Sequence, residues 1–247
     1  MPMKQPHGVS QLPRNSEGNQ QSPIEDQTRE IVSETRKAIP MRYRAVANRC
    51  AVDLDSLALP ISKMEALDIL EKAGFKLLPI DLIALARQCI GKSLYRRGAK
   101  LSQAPSVVDC SSFVKWLYAQ RGIWLPRRSI QQREIGKAIC LDQVMGGDLI
   151  FAPGFINYYI DDPSDNVGHV GMATGENTVI HAANEKAGVV ESPLVSFVDD
   201  AQFRGARRIL PDNREAVTLL TPPEREVETE DDIKWIVLQS LPKTKAR

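Results

Sequence analysis

Cysteine and histidine are the residue types in this chain that could perform nucleophilic chemistry together. Of the three histidines, His7 lies in a polar N-terminal stretch, which leaves His169 and His181 as candidates within a folded domain. Both belong to short apolar runs that are typical of strands. A three-residue loop, 174–176, would place the two histidines directly opposite each other, with Cβ atoms ~4.5–5.5 Å apart, so that one imidazole could orient the other. A two-residue turn would instead put them on opposite faces of the sheet.

Cys110 is the best candidate for the nucleophile. It follows Asp109 and begins a predicted helix over residues 110–120. The unpaired amides of a helix N-terminus favour a thiolate, so we expect a thiol pKa below the usual value of about 8.5 and a stabilised oxyanion. A zinc site made by the cysteine and the two histidines is a weaker alternative, because no other cysteine has ligand spacing. The remaining cysteines are predicted to be free, buried and inert thiols: Cys50, Cys89 and Cys140.

Composition restricts the classes of function. The chain has 247 residues, 43% hydrophobic and 26% charged, which suits one catalytic domain with extensions. A formal net charge of +1 disfavours nucleic-acid binding, and no run approaches the ~18 apolar residues of a membrane-spanning helix. Charge is nevertheless segregated, with 11 Lys and Arg against two acidic residues over 87–137, and 10 acidic residues against one lysine over 141–200. Two solvated faces explain this pattern better than substrate steering does. No cofactor or metal is implied.

Periodicity and composition divide the chain into four segments. We predict a disordered tail over 1–27, a short helical extension over 28–78, a catalytic domain over 79–212, and an acidic spacer with a short C-terminal helix over 213–247. Within the catalytic domain, helices come first and strands follow, which predicts an α+β fold. The predicted helices are 80–90 and 110–120; the predicted strands are 148–152, 169–173, 178–182 and 204–210, with a long loop over 153–167.

Five motifs in order resemble those of the NlpC-type cysteine peptidases, bacterial papain-like endopeptidases that mostly cut peptidoglycan stem peptides. The motifs are Asp-Cys-Ser-Ser-Phe-Val from Asp109, Gly-Ile-Trp-Leu-Pro-Arg-Arg-Ser from Gly122 with Gln132, Gly-Gly-Asp-Leu-Ile-Phe from Gly146, Gly-His-Val-Gly-Met from Gly168 with His181-Ala182, and Gly-Ala-Arg-Arg-Ile from Gly205. The resemblance implies a papain-like domain in which N-terminal helices pack on a small antiparallel sheet.

The resemblance also implies roles for individual residues. Cys110 would be the nucleophile, His169 its general base, and His181 the residue that orients the base. The segment Gly-Lys-Ser-Leu-Tyr matches an upstream tyrosine segment of the family, which places the Tyr95 hydroxyl near the oxyanion. The further candidates for oxyanion or substrate binding are Asp109 and Ser111.

Departures from the family pattern concern the substrate pocket. Ser112 stands where glycine is usual, and Arg96 and Arg97 follow the tyrosine where an aromatic residue and glycine are common. The resemblance implies hydrolysis of a γ-D-glutamyl bond in a peptide or muropeptide substrate. Two alternatives remain: an intracellular amidase or acyltransferase, and a non-catalytic interaction module with unidentified protein partners. The N-terminus lacks the apolar core of a secretory signal, so we expect a cytoplasmic location unless another route delivers the protein to the cell wall.

Overall fold

The computed structural model describes residues 43–154, 166–199, 202–210 and 216–242, which contain six α-helices, two short 3₁₀ helices (Leu101–Gln103 and Leu141–Gln143) and eleven strands. The helices are α1 (Lys63–Lys72), α2 (Leu82–Gln88), α3 (Cys110–Gln120), α4 (Ser129–Arg133), α5 (Leu194–Phe197) and α6 (Glu230–Ser240). The strands are β1 (Arg49–Val52), β2 (Lys76–Leu78), β3 (Leu94–Tyr95), β4 (Val107–Val108), β5 (Lys137–Ile139), β6 (Leu149–Ala152), β7 (His169–Ala173), β8 (Thr178–Asn184), β9 (Gly188–Pro193), β10 (Ala206–Arg208) and β11 (Val217–Leu220). None of the helices in these ranges is long and apolar enough to cross a membrane.

The larger sheet has six antiparallel strands in the order β5-β10-β6-β7-β8-β9. Helix α3 packs across β7 and β8. One apolar cluster joins the helix to these strands, and its members have no exposed surface: Phe113 and Leu117 on the helix, Met172 and Ile180 on the strands. Burying each such side chain stabilises the fold by about 1.5–3 kcal/mol, so the packing holds the start of α3 against the start of β7. Helices on an antiparallel sheet confirm the predicted α+β fold.

The β7–β8 hairpin differs from the prediction in its register. Met172 pairs with Ile180 and Ala173 with Val179, which places Gly171 opposite His181. The prediction that His169 lies directly opposite His181 was therefore wrong: the loop is centred one residue later, on Glu176 rather than Gly175. This shifts the pairing by two residues. Because side chains alternate with a period of two, the two histidines still share a face, as predicted.

A second sheet in the order β1-β11-β2 contradicts the expectation that 28–78 contains helices alone. Helix α1 is present, and its capping box joins Ser62 to Glu65. Strands β1 and β2, however, pair with β11 from the far end of the chain. Apolar spacing within the segment could not reveal these strands, since their partner is distant in sequence.

The C-terminal helix docks on this second sheet. Helix α6 packs against α1 and β1. The interface between these elements contains a buried apolar cluster that includes Val52, Leu70, Ile233 and Val237, each at most 1% exposed. The division into four segments stays a prediction, and its tail over 1–27 lies outside the described residues. Most of the predicted loop over 153–167 lies outside them as well.

Candidate active site

The start of helix α3 holds Cys110 in a fixed position. Asp109 is the N-cap: its Oδ1 accepts a hydrogen bond from the Ser112 N–H at 2.8 Å. Ser112 Oγ in turn accepts from the Asp109 N–H at 2.8 Å, which completes a capping box. The serine that departs from the family pattern is thus fully buried inside the first helical turn. It stabilises the helix start that presents the cysteine.

The Cys110 sulfur lies against the backbone on both sides of His169. Its Sγ is 3.9 Å from the carbonyl oxygen of Gly168, and the Val170 N–H also interacts with the sulfur. Only 8% of Cys110 is exposed. The first residues of β7 therefore bring the predicted base next to the predicted nucleophile.

Three polar side chains, His169, His181 and Ser192, are joined in a row by short contacts. His169 Nε2 lies 2.9 Å from His181 Nδ1, and His181 Nε2 lies 3.1 Å from Ser192 Oγ. Because Nε2 of His169 contacts His181, Nδ1 is the other ring nitrogen of His169 that could exchange a proton with a neighbouring group. Ser192 lies on β9, a strand that sequence reasoning missed, and no motif around this serine signals its role.

Phe197 covers the histidine pair. Its ring centroid lies 5.3 Å from that of His169 and 4.7 Å from that of His181. Gly171 provides the space on the other strand, since a Cβ there would lie 3.1 Å from His181 Cβ and 3.1 Å from Phe197 Cζ. The two imidazoles are therefore held in one relative orientation by packing as well as by hydrogen bonding.

Burial decides the protonation states of the site. It lowers the pKa of His169 to about 4; burial and the neighbouring His169 lower that of His181 to about 3. Burial and the charge of Asp109 raise the pKa of the Cys110 thiol to about 11, despite backbone N–H groups that favour the thiolate. The expectation of a lowered thiol pKa was therefore wrong, because desolvation outweighs the helix N-terminus. At neutral pH the site pairs a thiol with neutral imidazoles.

Asp109 also joins a network beside the nucleophile. Its Oδ1 accepts from Arg127 Nη1 at 3.0 Å, and its Oδ2 accepts from the Gly98 N–H at 3.0 Å. Burial opposes its ionisation, but hydrogen bonds from Arg127 and Ser112 outweigh this effect and lower the pKa of Asp109. Ser111 Oγ accepts from Arg127 Nη1 at 2.9 Å. These contacts indicate a positioning role for the carboxylate, which sequence reasoning had considered for oxyanion or substrate binding.

A cleft of about 670 Å³ opens in front of the cysteine. Tyr95, Asp109, Cys110 and Ser111 all line it, so every predicted site residue outside the histidine pair borders the same space. Strand pairing of Tyr95 with Val108 brings the tyrosine beside the helix start. Burial, followed by the neighbouring Cys110 and Asp109, raises the pKa of Tyr95, so its hydroxyl stays protonated and can donate a hydrogen bond.

The other cysteines lie elsewhere. Cys50 and Cys89 are buried in apolar clusters, as predicted, and all four thiols are free. The expectation that Cys140 is also buried was wrong, because this residue is exposed directly after β5. Burial raises the pKa of Cys50 to about 12 and also raises that of Cys89. Across the described ranges, no group of three or more His, Cys, Asp or Glu side chains is arranged to hold a metal ion.

Similarity to known proteins agrees with the motifs. The sequence profile of the NlpC/P60 family matches residues 92–208. A probable endopeptidase NlpC of Escherichia coli is 37% identical over 103 residues, which are 41% of this chain and 62% of that protein. A γ-D-glutamyl-L-lysine dipeptidyl-peptidase of Bacillus cereus is 34% identical over 103 residues, 42% of this chain and 29% of that protein. The chain thus spans less than two thirds of the length of these relatives.

Solved structures of the family also match. An NlpC/P60 family protein from Bacillus cereus is 28% identical, with 54% of this chain and 41% of that chain covered and a TM-score of 0.43. The NlpC/p60 domain of the peptidoglycan hydrolase SagA is 28% identical, with 51% and 95% covered and a TM-score of 0.41. The profile match and the curated relatives confirm the resemblance stated from the motifs: residues 92–208 of this chain are similar to the NlpC/P60 family.

Proposed function

We propose that the domain is a cysteine peptidase in which Cys110, His169 and His181 act together. The observation that supports this most strongly is that the Cys110 sulfur, at a helix N-terminus, contacts the backbone of Gly168 and Val170 on either side of His169, whose imidazole is hydrogen-bonded to that of His181. A nucleophile, a base and a group that orients the base are the parts that amide hydrolysis through an acyl-enzyme needs. The curated relatives named as peptidases support hydrolysis as the reaction class.

The protonation states define the first step. His169 Nδ1 takes the proton of the Cys110 thiol while the sulfur attacks the carbonyl carbon of the substrate. For Nδ1 to be the acceptor, Nε2 of His169 must donate to His181 Nδ1, and His181 Nε2 must then donate to Ser192 Oγ. The lowered pKa of His181 keeps its Nδ1 unprotonated, so it can accept that hydrogen bond.

The remaining steps use the same groups. The oxyanion that forms on the carbonyl oxygen would receive hydrogen bonds from the helix-start amide of Cys110 and from the Tyr95 hydroxyl. Collapse breaks the C–N bond, and His169 returns the proton to the leaving amine. Water then attacks the thioester with His169 as the base, which releases the acid and restores the thiol.

For the substrate, we propose an amide bond in a peptidoglycan stem peptide, next to a γ-linked D-glutamyl residue. The name of the Bacillus cereus relative supports this bond type, and its similarity spans 103 residues of this chain. Because the chain spans only part of that relative, the bond is argued from the shared domain alone.

Digestion of purified muropeptides tests the proposal. The wild-type protein is expected to release shorter peptides, identified by mass analysis, and Cys110→Ala is expected to release none. Cys140→Ala is the matched control, because this cysteine is exposed and outside the cleft, and it should retain full activity. Cleavage by Cys110→Ala at the wild-type rate would refute the assignment of the nucleophile. Complete inactivity of the wild type on muropeptides would instead favour a different amide substrate or a binding module.

A further inference from the structure

A second cavity, of about 250 Å³, lies at the C-terminal end of helix α3, whereas Cys110 begins the same helix. Arg121, the C-cap residue of α3, and Asp81, the N-cap residue of α2, both line this cavity. The rest of its wall consists of aliphatic side chains and glycine backbone: Ile80, Leu82, Ile83, Gly146, Gly147 and Leu210. Its lining shares no described residue with that of the catalytic cleft, so the two spaces are separate sites.

The wall of this cavity combines the region that matches the NlpC/P60 profile with residues outside it. Arg121 and the two glycines lie within 92–208, the matched range, whereas Asp81, Ile83 and Leu210 lie outside it. Ala216, which is also outside, accepts a hydrogen bond from the Arg121 side chain through its carbonyl oxygen. Segments on both sides of the matched range therefore complete the cavity, and its chemistry is a property of this chain.

Arg121 is a buried cation. Only 8% of the residue is exposed, and its Nη2 donates to the Ala216 carbonyl oxygen at 2.8 Å. Burial lowers the pKa of this guanidinium, an effect that the phenols of Tyr118 and Tyr43 oppose. Burial also raises the pKa of each phenol, so both are uncharged at neutral pH. In the part of the chain that the structure describes, no carboxylate forms an ion pair with Arg121.

The remaining donors of this guanidinium have room for a ligand. Its Nε and Nη1 have no acceptor among the described residues, and the cavity is the open space that Arg121 borders. Burying a charge without a partner is costly, and a guanidinium presents paired N–H donors that match the two oxygens of a carboxylate. A ligand carboxylate in the cavity would therefore supply the acceptors that the protein does not.

Asp81 places a negative charge at the mouth of the same cavity. Its Oδ1 accepts from the Ile83 N–H at 2.9 Å and from the Ala84 N–H at 3.0 Å. The residue is exposed, and within the described ranges its Oδ2 has no donor and no ion pair joins it to Arg121. Two opposite charges thus border one small space without neutralising each other, which suits a ligand that carries both charges.

We propose that this cavity binds a small amino acid with an aliphatic side chain. The ligand carboxylate accepts hydrogen bonds from Arg121, and the ligand ammonium donates one to Asp81 Oδ2. The aliphatic side chain packs against Ile80, Ile83 and Leu210. A volume of about 250 Å³ is smaller than the ~300–1,000 Å³ of pockets for drug-sized ligands, so it suits a molecule of this size. The proposal concerns a site apart from the catalytic cleft and does not depend on the proposed peptidase activity.

Isothermal titration calorimetry of the full chain with leucine and two analogues tests the proposal. Isocaproate keeps the carboxylate and carbon skeleton of leucine but lacks the ammonium, whereas leucinamide lacks the carboxylate. Wild type should bind leucine at millimolar or lower concentration. Leucinamide should bind about tenfold or more weakly, because it loses charged hydrogen bonds to a buried guanidinium. Isocaproate should bind about two- to fivefold more weakly, because Asp81 is exposed and its ion pair is screened by water.

Three variants locate the binding site. Arg121→Gln should weaken leucine binding about tenfold or more. Ile80→Trp keeps the guanidinium but fills part of the cavity, so it tests the same site without removing a buried charge and should abolish binding. Asp81→Asn keeps a side chain that caps α2 but removes the charge, so it should remove the preference for leucine over isocaproate. Thermal denaturation checks that each variant is folded.

Arg207→Gln is the matched control. Burial also lowers the pKa of Arg207, and its Nε donates to the Arg133 carbonyl oxygen, but it does not line the cavity. This variant should bind leucine as tightly as wild type does.

Several results would overturn the proposal. Wild type that binds no leucine, or binds leucinamide equally well, would show that Arg121 does not hold a carboxylate. Unchanged affinity in both Arg121→Gln and Ile80→Trp would place the leucine elsewhere, including in the catalytic cleft. An equal loss in Arg207→Gln would make the effect unspecific, and isocaproate binding as tight as that of leucine would exclude the role of Asp81.

Discussion

Acidification should destabilise the fold through the buried histidine pair. Burial lowers the pKa of His169 from 6.5 to about 4 and that of His181 to about 3. The unfolded chain therefore binds more protons than the folded one between these values and pH 6.5. Stability is full above about pH 6.5 and falls as the pH drops through this window.

The magnitude follows from the shifts. For His169 the difference of about 2.5 pH units corresponds to about 3.4 kcal/mol when the whole window has been crossed. Between pH 6 and 5 each histidine contributes a slope of about 1.2 kcal/mol per pH unit, so the pair gives about 2.4 kcal/mol. Asp109, Glu65 and Glu191, whose pKa values are lowered, add to the acid loss mainly below about pH 5, so the histidines dominate the slope in the chosen interval.

Urea denaturation at pH 6.0, 5.5 and 5.0 measures this slope. His169→Gln keeps a hydrogen-bonding side chain but removes one titrating group, so its slope should be about half that of wild type. A wild-type free energy of unfolding that is flat across the interval, or an equal slope in the variant, would refute the argument that both imidazoles are held neutral.

Four further predictions follow from the same geometry. Gly171→Ala would place a Cβ 2.4 Å from Val179 Cγ1 and 3.1 Å from His181 Cβ, so it should displace the imidazole of His181. We expect kcat to fall at least about tenfold and the free energy of unfolding to fall by about 1–3 kcal/mol. An unchanged kcat would contradict this. Asp109→Asn weakens the ion pair with Arg127 and should lower the free energy of unfolding in urea by about 1–3 kcal/mol. The control Asp55→Asn, in an exposed pair with Lys63, should change it by less than about 1 kcal/mol. Equal losses in the two variants would contradict a stabilising role for the Asp109 network. Because burial raises the pKa of Cys110 to about 11, its reaction with iodoacetamide at pH 7 should be slower than that of Cys140, and a faster reaction would indicate an activated thiolate. For the same reason kcat/KM should stay level beyond pH 9, where a thiolate–imidazolium pair would already lose its proton.

The site could be predicted from sequence to the extent that its determinants are local. The Asp-Cys-Ser start places Cys110 on the first turn of α3, and this depends only on a cap within three residues. The shared face of His169 and His181 survived an error in the predicted loop because strand side chains alternate, and the error amounted to two residues. Local rules therefore gave the correct face but an incorrect pairing.

The remaining features depend on long-range contacts. Ser192 and Phe197 reach the histidines through β9 and α5, which no motif marks. The pKa of Cys110 was predicted in the wrong direction, since burial depends on how β7 packs over the helix start and cannot be read from neighbours in sequence. Strand β1 escaped detection because its partner, β11, is near the other end of the chain.

A covalent intermediate on Cys110 is the most direct consequence of the proposed chemistry. Wild-type protein can be mixed with a muropeptide, quenched in acid within one turnover, and analysed by intact mass and peptide mapping. A thioester adduct with the mass of the acyl fragment should be found on Cys110, and its yield should fall at least about a hundredfold in His169→Ala, which lacks the base. Turnover without an adduct on Cys110, or an adduct on another cysteine, would contradict the assignment of this residue as the nucleophile.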